Sequence, residues 1–149
     1  MQKDITLTLS ESGYYDIEIE SGELKTSEGL DTAIKLSLLI DKRADSSEIA
    51  NAYDRGGNII DELNDVDSFE IGSKLWLLRS ERMTQNTINR AETYAKESLE
   101  WMIEDGLAKN IQVNCLSSNG NLECNITLFK ADGTKFNNSY RIWDKSTLV

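Results

Sequence analysis

Hydrophobic and polar residues alternate at the start of the chain, with Ile5, Leu7 and Leu9 set between Asp4, Thr6 and Thr8, and they alternate again through Tyr15, Ile17 and Ile19. A period of two marks a strand with one covered face, and the Ser-Glu-Ser-Gly run at 10–13 supplies a turn, so the pattern predicts an antiparallel hairpin. Ser21-Gly22 makes a second turn. Beyond it Leu30, Ala33, Ile34, Ser37 and Leu38 keep helical spacing; Thr26 or Ser27 is the expected cap and Asp41 the approximate end.

Residues 44–72 lose all periodicity and carry Gly56, Gly57, Asn58 and the acids Asp61, Glu62, Asp65, Asp67 and Glu70. This reads as a long acidic loop. Loops beyond about 12 to 15 residues are uncommon in a compact domain and are usually functional, which makes it a candidate partner-contacting arm. Leu75-Trp76-Leu77-Leu78 predicts a brief helix set into the core. Thr84 then caps a helix on which Ile88, Ala91, Ala95, Leu99, Met102 and Ile103 share one stripe, about 22 residues and ~33 Å long, with Gly106 as its stop.

The register of the last third follows from its turn. With Asn119-Gly120 as a two-residue type I′ turn, residues pair when their numbers sum to 239, which sets Cys115 opposite Cys124, Val113 opposite Ile126 and Ile111 opposite Leu128, all on one face. Asp132-Gly133 leads to a third strand through Phe136, Tyr140 and Ile142. The expectation is one α+β domain over 1–149, an antiparallel meander and an N-terminal hairpin packed against one long and two shorter helices.

Composition narrows the function. The chain has 149 residues, 39% hydrophobic, with 26 acids, 16 bases and a formal charge of −10. The charge is lopsided: residues 1–72 hold 17 acids and 6 bases, and residues 73–149 hold 9 acids and 10 bases. Such a surface repels phosphate backbones and anionic lipids, so neither nucleic acid nor membrane is an expected partner. His is absent, and with it the commonest general base and a usual zinc ligand. Pro is also absent. No signal-peptide core opens the chain, and two Cys are too few for a disulfide scaffold, so synthesis in a reducing cytoplasm is expected.

Each candidate chemistry has a plainer rival. Cys115 and Cys124 face each other at a non-hydrogen-bonded position and could switch by redox chemistry, but two reduced hydrophobes in the core are the expectation. Glu100 with Glu104, or Glu81 with Asp105, could serve as an acid and base for glycan hydrolysis, although nothing in the spacing selects them over a solvated helix face. The acids at 61–70 lack the order of a calcium loop, and Gly56-Gly57 lacks the Lys-Ser or Lys-Thr of a phosphate loop. Neither a metal nor another cofactor is expected. Trp76 and Trp101 are assigned to the core, whereas an exposed Trp143 would mark an interface.

The run Gly72-Ser73-Lys74-Leu75-Trp76-Leu77-Leu78-Arg79, followed by Thr84, Ala91, Tyr94, Ala95, Ser98, Leu99, Trp101, Met102, Ile103, Asp105 and Gly106, resembles the Mu-like phage baseplate family numbered forty-six in Mu. Glu28-Gly29-Leu30-Asp31-Thr32-Ala33-Ile34 with Ser37, Leu38, Asp41 and Arg43 is similar to that family's first-helix signature. The resemblance implies a non-enzymatic subunit of a contractile tail, akin in architecture to the baseplate subunits once labelled lysozyme-like. It further implies a wedge subunit that initiates the sheath, with six copies in a ring in the virion. Its partners would be other wedge proteins, the tail sheath protein and the hub and tube proteins. Strand addition at an open sheet edge would be its mode of joining. Asp61, Glu62, Asp65 and Asp67 are the expected flexible contacts, and Gly72, Ser73, Trp76 and Arg79 the fixed ones beside them. A glycan hydrolase and a tail-assembly chaperone absent from the mature particle are the alternatives.

Overall fold

The computed structural model describes residues 3–12, 14–49, 55–57 and 71–143. The expected hairpin forms over half its length. Leu7–Leu9 (β2) pairs with Tyr15–Ile17 (β3), but Lys3–Ile5 (β1) pairs with Thr26–Glu28 (β6), and Ile19–Glu20 (β4) pairs with Glu23–Leu24 (β5) around Ser21-Gly22. Three extended stretches therefore each pair with both of the others. They exchange partners at Thr6, Glu18 and Lys25: the Thr6 amide donates to the Lys25 carbonyl (2.9 Å), and the Lys25 amide donates to the Glu18 carbonyl (2.8 Å). The Glu18 carboxylate accepts from both Lys25 Nζ and Thr8 Oγ1 at 3.0 Å, which fastens the junction. This arrangement overturns the expected helix cap. Thr26 and Ser27 lie in β6, because a ladder with β1 satisfies more backbone groups than a single cap, and the first helix, Gly29–Leu39 (α1), starts beyond them.

Leu75–Leu78 forms a 3-10 turn with Leu75 and Leu78 buried. The long helix Gln85–Glu104 (α2) is capped by Thr84, whose side chain accepts from the Thr87 amide, and it buries Ala91, Ala95, Leu99 and Met102. Small residues at 91 and 95 let the helix lie close to the sheet. Gly106 takes φ +75 just past its end, and the Leu107 amide donates back to the Met102 carbonyl (2.8 Å), as a glycine-stopped helix requires. No helix among the described residues is long and apolar enough to cross a membrane.

The meander has the order β7-β8-β9, with β7 at Asn110–Ser118, β8 at Asn121–Phe129 and β9 at Lys135–Trp143. The β7–β8 register is the one the turn demands: Ile111 opposes Leu128, Val113 opposes Ile126 and Cys115 opposes Cys124. Two features depart from expectation. A bulge between β8 and β9 sets Glu123 opposite Arg141 and Leu122 opposite Trp143, so Ile142 is the extra residue and Trp143 turns inward. Trp143 is 7% exposed and donates Nε1–H to the Gly120 carbonyl, so it is core and not interface. The second departure concerns the cysteines. Cys115 and Cys124 form a disulfide where a reduced pair is expected, since a non-hydrogen-bonded pair brings opposed side chains closest and the Cα atoms stand 4.2 Å apart.

The core lies between the sheet's inner face and a helical layer. Ile34 and Leu38 of α1, Leu75 and Leu78, and the α2 stripe meet Ile111, Leu122, Cys124, Ile126, Leu128 and Tyr140. Trp76 and Trp101 are half-buried at its margin rather than within it.

Candidate functional site

Asp61, Glu62, Asp65 and Asp67 lie outside the described residues. The other four candidates, Gly72, Ser73, Trp76 and Arg79, sit on one short stretch that closes against the end of α1. Ser73 is buried. Its hydroxyl donates to the Leu38 carbonyl (2.6 Å), its amide to the Ile40 carbonyl (2.8 Å), and its carbonyl accepts from the Lys42 amide (3.0 Å). These bonds serve carbonyls that the last helical turn leaves unpaired. Gly72 has φ +112, and a Cβ there would stand 2.3 Å from the Ile40 carbonyl oxygen, so only glycine fits. Trp76 donates Nε1–H to the Lys42 carbonyl (2.7 Å) and lays its ring where a Cβ on Gly56 would meet it at 2.7 Å.

Arg79 is exposed and near Asp41, whose carboxyl burial pushes up against the lowering pull of that guanidinium. Lys74 binds Asp45 and Glu48; burial opposes its charge, but the two carboxylates outweigh it and raise its pKa. Arg55 completes the knot by donating Nε–H to the Ala44 carbonyl (2.7 Å). Gly72 and Ser73 are thus internal staples. Of the four, Trp76 stays half-buried and Arg79 is exposed.

A second polar site is not among the sequence-derived candidates. Lys35 is 8% exposed on α1, pairs with Asp31 at 2.8 Å and also donates to the Leu7 carbonyl. The other Asp31 oxygen accepts from Tyr140 Oη (2.8 Å) and Asn138 Nδ2 (3.1 Å) of β9. Burial pushes the Asp31 carboxyl up, but these donors and the Lys35 charge outweigh it and hold it below the ordinary range. The Tyr140 hydroxyl is driven upward, by burial first, then by its hydrogen bond to Asp31 and by that carboxylate's charge. Beside it a cleft of about 350 Å³ separates β2 from β9, and Tyr15 bridges it by donating Oη–H to the Arg141 carbonyl (3.1 Å). The network joins the N-terminal strands, α1 and the meander. The i, i+4 spacing of Asp31 and Lys35 was the signal available in sequence; the Tyr140 partner was not.

The far edge of the sheet is different. The Cys115 amide donates to Glu92 of α2 (3.1 Å), so the backbone of Cys115 faces away from β8, and the two-residue period extends this to Ile111, Val113 and Ser117. That edge borders a groove of about 790 Å³ lined by Asn89, Glu92, Thr93 and Lys96 of α2 and by residues 110–114. The carboxylates considered for hydrolysis are dispersed: Glu81 holds Arg90 at 2.8 Å, while Glu100, Glu104 and Asp105 are exposed on α2 or at its end. Among the described residues no three His, Cys, Asp or Glu side chains gather as a metal site.

The described residues therefore present a small α+β domain whose polar clusters brace its own backbone and whose sheet has an accessible edge. The model of the phage protein GP46 family matches residues 30–135, and the chain belongs to that family. Two relatives are similar over most of their length. The baseplate protein gp46 of Escherichia phage Mu is 38% identical over 104 residues, covering 68% of this chain and 70% of the relative. The Mu-like prophage FluMu protein gp46 of Haemophilus influenzae is 32% identical over 110 residues, covering 74% and 73%. The first of these relatives is by name a phage baseplate protein, and the second is by name a Mu-like prophage protein.

Proposed function

We propose that this chain is a wedge subunit of a contractile-tail baseplate. It sits in a ring of six around the hub and tube and starts the sheath by accepting a strand from a sheath subunit. The accessible edge of β7 is the observation that carries this reading. Its outward positions recur every second residue beside the groove along α2; the Ile111 and Cys115 amides already donate to Asn110 and Glu92, so the amides of Val113 and Ser117 and the outward carbonyls would receive the added strand, and main-chain hydrogen bonds provide affinity in strand addition. The opposite edge, on β9, is already approached by the N-terminal strands through Tyr15 and Arg141. The acids at 61–67 and the surface of Trp76 and Arg79 contact neighbouring wedge proteins. The chain performs no catalysis. It is made and assembled in the host cytoplasm.

Cryo-EM of particles from cells carrying the whole tail gene cluster tests this. The expected result is this fold where sheath meets baseplate, with a neighbour's strand along β7. A strand on β9 instead would overturn the choice of edge, and particles lacking the chain would favour the chaperone. Val113→Pro probes the same point, because it removes an outward amide without breaking the ladder to β8. The variant should fold and enter the baseplate yet fail to nucleate sheath; normal sheath would count against β7.

A further inference from the structure

The N-terminal strands carry a feature that the edge of β7 does not explain. Of the eight large hydrophobics left exposed among the described residues, five, Ile5, Tyr14, Ile17, Ile19 and Leu24, lie before α1. Ile19 and Leu24 are directly opposed on β4 and β5 and are 69% and 44% exposed. The next rung pairs Glu20 with Glu23, both exposed. By strand alternation the aliphatic rung faces one side of this ribbon and the acidic rung the other. Like charges directly opposed across a ladder are destabilising, and a two-stranded ribbon is marginal in water without a partner surface. Both rungs are therefore unfavourable in isolation, and one kind of occupant relieves both.

We infer that the β4–β5 tip is a docking plug. It inserts into a cleft of a different protein that has one aliphatic wall, for Ile19 and Leu24, and one wall carrying Lys or Arg, for Glu20 and Glu23. A second copy of this chain is the wrong occupant, because residues 3–28 hold seven acids and two bases and would meet their own charge. An anionic lipid surface is repelled for the same reason. The tip also lies outside residues 30–135, the part of the chain that the family model matches. This inference rests on the baseplate reading only for the source of the partner.

The test is pairwise binding of the purified full-length chain to each other baseplate protein of its own gene cluster, with hydrogen exchange to locate the contact. One protein should bind and protect residues 17–24. Ile19→Ser with Leu24→Ser should weaken binding roughly a hundredfold, about tenfold for each anchor lost. Glu20→Lys with Glu23→Lys should weaken it at low salt and less at high salt. Leu116→Ser, which alters a 70% exposed residue elsewhere, is the control and should bind normally. Circular dichroism melts verify that each variant folds.

Binding that survives the Ile19 and Leu24 changes would overturn the plug and leave the baseplate reading standing. Self-association abolished by those changes would overturn it in favour of a homodimer, and binding to phosphatidylserine vesicles in favour of a membrane. Absence of binding to every baseplate protein would overturn the plug, and particles also lacking the chain would overturn the baseplate reading with it.

Discussion

Tyr140→Phe isolates one hydrogen bond at the junction of three elements. The Tyr140 ring is 1% exposed and Phe retains its volume, so no cavity opens; what is lost is the donor 2.8 Å from Asp31. Hydrogen bonds to a charged group contribute about 1.5–3 kcal/mol, which sets the expected loss at about 2 kcal/mol at pH 7. The sign of its pH dependence follows from Asp31. The folded carboxyl is held below its ordinary value, so its stabilisation is complete above the unfolded pKa of about 4 and disappears as pH falls through the lower folded value. The gap between parent and variant should narrow below about pH 4, as the carboxylate that the hydroxyl serves becomes protonated. Urea unfolding of both proteins between pH 7 and pH 3 measures it. A loss under ~0.5 kcal/mol at pH 7, or one independent of pH, would refute the claim that Asp31 is the anchor.

Gly72→Ala should destabilise by about 3 kcal/mol or yield insoluble protein, since it adds backbone strain to a Cβ 2.3 Å from a carbonyl oxygen; a thermal melt decides it. Reduction of Cys115–Cys124, nine residues apart, should cost about 2–3 kcal/mol on the loop-entropy model, read as a drop in melting temperature with dithiothreitol that the Cys115→Ala, Cys124→Ala double variant does not show. Charge reversal at Asp61, Asp65 and Asp67 should weaken baseplate assembly more at low salt than high, because surface attraction is screened within about 8 Å at physiological ionic strength. Equal loss at both salts in an assembly assay would point to packing instead.

The sequence was most legible where two local signals agreed. Asn119-Gly120 set a register, and the alternation of Ile111, Val113 and Cys115 required the same one. Thr84 and Gly106 bounded α2 for the same reason: cap, stripe and stop all pointed to one helix. Legibility failed where a distant partner overrode a local preference. Thr26 and Ser27 are good caps, yet β1 claimed them for a ladder; no glycine announces the bulge at Ile142, so the inward turn of Trp143 was hidden. The burial of Lys35 was not legible, because the carbonyl and carboxylate that let it be buried come from β2 and from one helical turn earlier. Of the candidate site, the inward bonding of Gly72 and Ser73 was not legible, because their partners, the carbonyls of Leu38 and Ile40, lie more than thirty residues earlier.

The knot around Trp76 has a mechanical consequence. Ala44 is tied to Arg55, Gly57 rests against Arg43, and Ser73 is tied to Ile40 and Lys42, so the segment that follows α1 is held by two stretches of chain far from each other in sequence. Trp76 shares that hold, because its ring lies on Gly56 and its indole donates to the Lys42 carbonyl. Slack introduced at either tether therefore reaches the seat of the indole without any change to Trp76 itself, and contacting sites of this kind respond to paired changes as a unit rather than as a sum.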